Sequence, residues 1–151
     1  MHTRDDLNYS RRYIWWFLKE AKKRNPHITL DGTAWSAPGW VCNGEFWSQD
    51  AADYYVKWLQ GLRKVYGLEF DALGCRNEKG VSYDFVEKLR STLNNNGFDK
   101  VKIHAFDNWG GEKLTFVKDM VTDEQLRNTI DMISAHEFPE IQASTEIQAM
   151  A

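Results

Sequence analysis

Tyr66-Gly67-Leu68-Glu69-Phe70-Asp71-Ala72-Leu73-Gly74-Cys75-Arg76-Asn77-Glu78 decides the reading of the fold. A glycine that stops a helix is followed by a short apolar run, which passes abruptly into a cation, an amide and a carboxylate. Upstream, Tyr55, Leu59, Leu62 and Tyr66 lie on one stripe, so the spacing predicts a helix from about Asp50 to Tyr66. Asp50 is the expected N-cap and Gly67 the expected C-terminal stop. Downstream, Phe85, Val86, Leu89 and Leu93 predict a second helix over Ser82 to Asn96, closed by Gly97. A strand held between two amphipathic helices is the repeating unit of a parallel sheet.

The same alternation extends in both directions. Ile14, Phe17, Leu18 and Ala21 predict a helix over Arg11 to Asn25, ended by Asn25-Pro26. Trp15 and Trp16 fall inside it and are expected to be packing residues. Ile28 to Trp35 reads as a short buried strand running into the turn residues Ser36-Ala37-Pro38-Gly39. Val101 to Phe106 is a third strand. A further helix is expected to begin near Thr122, where Thr122 and Gln125 have capping-box spacing. Thr129 to His136 then reads as a fourth strand.

Two architectures use such an α-β-α-β-α-β-α-β order: an open doubly wound sheet and a closed barrel. A complete barrel needs eight βα units and about 250 residues, whereas this chain has 151. The periodicity therefore leaves a small doubly wound domain and an incomplete (β/α)8 TIM barrel both open. Residues 10 to 138 contain no low-complexity linker. The stretch from Pro139 to Ala151 changes character, being rich in Ala, Gln and Glu with no strand pattern.

Composition narrows the function classes. A net charge of -3 comes from 19 basic and 22 acidic side chains dispersed along the chain, so no basic patch for nucleic acid is expected. No apolar run is long enough for a membrane span, and the polar Met1-His2-Thr3-Arg4-Asp5-Asp6 start has no signal-peptide pattern. Cys42 and Cys75 imply no disulfide by themselves. Asn8-Tyr9-Ser10 is a glycosylation sequon, relevant only in the secretory route. The four histidines show no metal-ligand spacing, and no phosphate-binding glycine loop or nucleophile elbow is present, so neither metal nor cofactor is expected.

In both parallel architectures chemistry collects beyond the C-terminal ends of the strands. That rule selects Trp35, Ser36 and Trp40; Arg76, Asn77 and Glu78; Asp107, Asn108 and Trp109; and His136, Glu137 and Phe138. Carboxylates with amide donors and indole walls suit sugar chemistry, in which an acid protonates a leaving oxygen while a second carboxylate meets the developing positive charge. Asn77-Glu78 is the sharpest element: an acid at a strand end beside an amide able to hold a hydroxyl. The plainer alternative is a loop glutamate that begins the next helix. Trp35 is either a stacking wall or a plug over the strand ends. His136 is either a hydrogen-bond donor in the cleft or a structural histidine.

Trp15-Trp16-Phe17-Leu18-Lys19-Glu20-Ala21-Lys22-Lys23-Arg24-Asn25-Pro26-His27-Ile28-Thr29-Leu30, Trp35-Ser36-Ala37-Pro38-Gly39-Trp40, Tyr54-Tyr55-Val56, Asn77-Glu78, Val101-Lys102-Ile103, Asp107-Asn108 and Ala135-His136 together resemble the galactocerebrosidase (galactosylceramidase) family of glycoside hydrolases, in order, over residues 10 to 138. The resemblance implies a (β/α)8 barrel whose acid/base glutamate follows an asparagine at the end of strand four, and whose nucleophilic glutamate ends strand seven. Glu78 would then be the acid/base, Asn77 its neighbour on a substrate hydroxyl, Trp35 a wall of the galactose pocket and His136 a further substrate contact. The strands would be barrel strands three to six. The implied reaction is hydrolysis of the β-galactosyl bond of galactosylceramide, in the lysosome, with a lipid-presenting protein as a possible partner.

Three departures shape the expectation. Arg76 stands where the family typically has Trp. Barrel strands one, two, seven and eight have no counterpart, so residues 1–138 are expected to form part of a catalytic barrel and residues 139–151 a tail foreign to the family. The nucleophile segment is not recognisable; Glu146 only distantly resembles it. Because a retaining glycosidase needs both carboxyl groups, this chain alone is expected to be inactive. The alternatives are a non-catalytic sugar- or lipid-binding fragment, or a related β-glycosidase with another substrate.

Overall fold

The computed structural model describes residues 3–11, 13–80, 82–108 and 115–136. Helices and strands alternate as α1 (Tyr13–Arg24), β1 (Asp31–Thr33), a 3-10 turn (Cys42–Gly44), α2 (Gln49–Tyr66), β2 (Ala72–Gly74), α3 (Tyr83–Asn95), β3 (Lys102–Asn108), α4 (Phe116–Thr122), α5 (Glu124–Thr129) and β4 (Met132–Ala135). The strands form one sheet in the order β1-β2-β3-β4, and every neighbouring pair is parallel. Sequential strands lying side by side in sequence order, with each crossover carried by helix, is the arrangement of a barrel wall; a doubly wound sheet reverses its strand order at a switch point.

The core lies between the helices and one face of this sheet. Leu59 and Leu62 of α2, Phe85, Val86, Leu89 and Leu93 of α3, and Leu73 and Ile103 of the strands are buried in one cluster. The stripes read from the sequence in α2 and α3 are thus the faces that pack. Gly67 closes α2 in the left-handed conformation at φ 63°, as its sequence position predicts. Ser82 caps α3 by accepting the Phe85 N–H.

Four local expectations need correction. The N-cap of α2 is Ser48, whose hydroxyl accepts the Ala51 N–H; Asp50 lies in the first turn, where it pairs with Arg4 and accepts the Cys42 N–H. The predicted helix at Thr122 is two helices. Thr122 ends α4, and Asp123 leaves the helical region and caps α5 by accepting the Leu126 N–H. In α1 only Trp15 is buried, stacked on Tyr66 at 5.8 Å and tilted against Trp58 at 4.9 Å, whereas Trp16 is 60% exposed, and Ile14 and Phe17 are also exposed. The strands are shorter than read at β1, β2 and β4, where Thr129 belongs to α5 and the strand spans Met132–Ala135, and β3 runs on to Asn108. Residues 139–151, with Glu146, lie outside the described residues, as do Trp109, Glu137 and Phe138.

Candidate active site

The other face of the sheet carries a polar layer. His104, 5% exposed on β3, reaches Ser134 Oγ of β4 through Nδ1 at 2.9 Å. Its Nε2 lies 3.0 Å from Asp31 Oδ1 and 3.3 Å from Thr33 Oγ1, both on β1. The ring therefore crosses over β2 to do this, and Gly74 makes the crossing possible, because a Cβ there would run into the ring and the Thr33 hydroxyl. Sequence reasoning missed this cluster. The only available signal was a histidine at an alternating position inside an apolar strand.

Beyond the C-terminal ends of the strands, three of the side chains selected from the sequence, Glu78, Asp107 and His136, come together. The Asn77 N–H donates to Ala34 O at 2.9 Å, and the Glu78 N–H donates to Asp107 O at 2.8 Å. The end of β2 is thus stitched to β1 on one side and β3 on the other. Asn77 is buried at 8% exposure. Glu78 adopts φ 54°, the left-handed region that a non-glycine residue seldom occupies. Such strain is kept only where the surroundings impose it, and it clusters at functional sites. Its carboxyl is the more exposed of the cluster's two, at 39% against 22% for Asp107.

His136, one residue past β4, completes the group. Its N–H donates to Asn108 O at 3.2 Å. Its Nε2 stands 3.2 Å from Glu78 Oε1 and 3.6 Å from Asp107 Oδ1, contacts of ion-pair range. Three consecutive strand ends thus supply an acid, an imidazole and a second acid. Trp35 follows Ala34 at the end of β1, beside Asn77, and is 76% exposed. An indole so open is not a plug over the strand ends. Arg76 lies over the rings of Phe46 at 4.2 Å and Trp47 at 5.4 Å, tied to the loop before α2. Burial pushes the Cys75 thiol up to about 12, which leaves it without nucleophilic character. Among the described residues no group of His, Cys, Asp and Glu could hold a metal ion, and no helix is long and apolar enough to cross a membrane.

Comparison with known proteins gives the family of the chain. Residues 1–151 match glycosyl hydrolase family 59. Galactocerebrosidases from Homo sapiens and from Salmo salar are 42% and 39% identical over 141 residues, each alignment covering 90% of this chain. The chain spans about a fifth of the length of these relatives, 20% and 21% respectively. Among solved structures, SrfJ from Salmonella typhimurium superimposes with a TM-score of 0.66 at 22% identity, covering 81% of this chain and 33% of that one. That likeness bears on the fold alone.

Proposed function

The chain belongs to glycosyl hydrolase family 59, and from that premise we propose that it is the acid/base part of a retaining β-galactosidase barrel that acts on galactosylceramide. The four strands correspond to barrel strands three to six. The observation that carries the reading is Asn77-Glu78 at the end of β2, with the Glu78 N–H held by the Asp107 carbonyl and its backbone at φ 54°.

On this reading the Glu78 carboxyl donates its proton to the glycosidic oxygen as that bond breaks. The resulting carboxylate then takes a proton from the water that releases the galactosyl group. Asn77 holds a sugar hydroxyl, and the Trp35 indole packs against the C–H face of the ring. The second carboxylate, about 5–5.5 Å from the first in a retaining pair, comes from a later strand of the barrel. The same reading places the enzyme in the lysosome, where its lipid substrate is lifted to the cleft by a presenting protein.

Hydrolysis of an unactivated β-galactoside, such as methyl β-galactoside, by the complete gene product tests this. Replacing Glu78 by Gln is expected to lower kcat/KM for an unactivated galactoside by about 10²- to 10⁴-fold. Unchanged turnover in that variant ends the assignment. Residues 1–151 alone are expected to show no turnover, and galactose binding without turnover by the complete product would favour a sugar-binding role instead.

A further inference from the structure

His136 touches two carboxylates, and the arrangement suits holding an acid better than holding a sugar. A single ring nitrogen, Nε2, is within 3.2 Å of Glu78 Oε1 and 3.6 Å of Asp107 Oδ1. Exposure orders the cluster. The His136 and Asp107 side chains are 21% and 22% exposed and Glu78 is 39% exposed, so the imidazole and Asp107 are withdrawn and the glutamate is the outermost member. The backbone beneath is joined across all three strand ends: Glu78 N–H to Asp107 O, His136 N–H to Asn108 O, and Gly80 N–H to Asn108 Oδ1 at 3.4 Å. The other charged groups nearby have their own partners. His104 is bound to Ser134, Asp31 and Thr33, and Arg76 lies on Phe46 and Trp47.

We propose that His136 is a positioning residue for proton transfer, its imidazole edge set against Oε1 of Glu78 and Oδ1 of Asp107 so that it fixes where the Glu78 carboxyl lies, and that it makes no essential contact with the sugar. The inference rests on the reading of Glu78 as the acid/base. The proton balance is closed without His136 changing its own charge. Glu78 gives its proton to the departing oxygen and becomes a carboxylate, whose new charge lies 3.2 Å from the imidazole Nε2. The anomeric carbon bonds to the second carboxylate of the retaining pair as the leaving group departs, and water then breaks that ester, delivering its hydroxyl to the anomeric carbon and its proton back to Glu78. Throughout, Oε1 stays on the imidazole and Oε2 faces the reacting oxygen. A carboxyl left to rotate would spend most of its time out of line with that oxygen, and misplacement of this kind costs rate without touching affinity.

Leaving-group dependence separates the two roles. A dinitrophenyl β-galactoside departs with little protonation, whereas a methyl β-galactoside needs the acid. In the complete gene product, His136→Ala is expected to lower kcat/KM for the methyl galactoside by about 30-fold and for the dinitrophenyl galactoside by about threefold or less. His136→Gln, which keeps an N–H near Nε2, is expected to recover most of the loss, and Asp107→Asn to show the same pattern more weakly. A sugar ligand would instead lose both substrates equally, chiefly through KM, and that result overturns the inference while leaving Glu78 in place. Glu78→Gln is the reference: if its loss does not depend on the leaving group, or the gene product turns over neither galactoside, the acid/base reading itself has failed and this inference fails with it.

Discussion

Gly74 shows how one absent side chain organises the site. With no Cβ at this position, His104 can lie across β2 and join Asp31 and Thr33 on β1 to Ser134 on β4. Gly74→Ala is expected to force the ring aside and cost about 1–3 kcal/mol as overpacking, read as a lower melting temperature. His104→Ala is expected to relieve the added strain, so the double variant loses less than the sum. A second residue-level expectation concerns the thiols. Cys42 is exposed, and Cys75 is buried with its thiol raised to about 12. A maleimide should label the folded protein once, at Cys42, and twice only after denaturation. Asn77-Glu78 was legible in the sequence because its chemistry sits where a parallel strand ends. The His104 cluster was not, because its partners lie 73, 71 and 30 positions away and only the sheet register brings them together. The place of His136 near a strand end was legible in the sequence, but its contact with Glu78 required the same register.

At the scale of elements, helix faces were readable where periodicity is strong and unreadable where local polar groups compete. The α2 and α3 stripes follow from their spacing. Adjacent tryptophans in α1 do not: Trp15 goes inward because Tyr66 and Trp58 of α2 offer it a stacking surface. Ser48 and Asp50 are both good caps by composition, and Ser48 wins because Asp50 is held by Arg4. Ser48→Ala is therefore expected to destabilise the fold by about 1 kcal/mol, measured by chemical denaturation, with Asp50→Ala costing less through an exposed pair. Tyr83 ties α3 to α4 by donating its hydroxyl to Asp119 at 2.5 Å. Burial first, then that hydrogen bond and the Asp119 charge, raise the phenol from 10.0 to about 12. A raised phenol contributes stability that is fully present below its unfolded value and is lost as pH rises through the folded one. The gap in denaturation midpoint between the wild type and Tyr83→Phe is thus expected to be constant below pH 10 and to close toward pH 12. A gap that stays constant through that window would mean that the Tyr83–Asp119 bond contributes nothing.

At the scale of the whole molecule, the four-stranded sheet is covered on one face by helices and carries a polar layer on the other. A closed barrel fills its interior with layers of side chains from successive strands and has no edges. In the described residues β1 and β4 are edge strands, and their outer N–H and C=O groups are a template for further strand pairing. Beside β1 a cavity of about 380 Å³ opens between α1, β1 and α2, with Ile14, Leu18, Trp58 and Phe70 in its wall. Trp16 and Phe17 stand exposed on α1. An edge strand, an adjoining cavity and exposed aromatic side chains of α1 thus lie together at this end of the sheet. Residues 1–151 expressed alone are consequently expected to self-associate, with a sedimentation coefficient that rises with concentration and with strong binding of a hydrophobic dye. Charged substitutions that leave the core intact, such as Phe17→Lys, should reduce both effects together. A monodisperse monomer that binds no dye would show that this face is satisfied within the chain, and the sheet would then have to be read as a complete unit and not as part of a barrel wall.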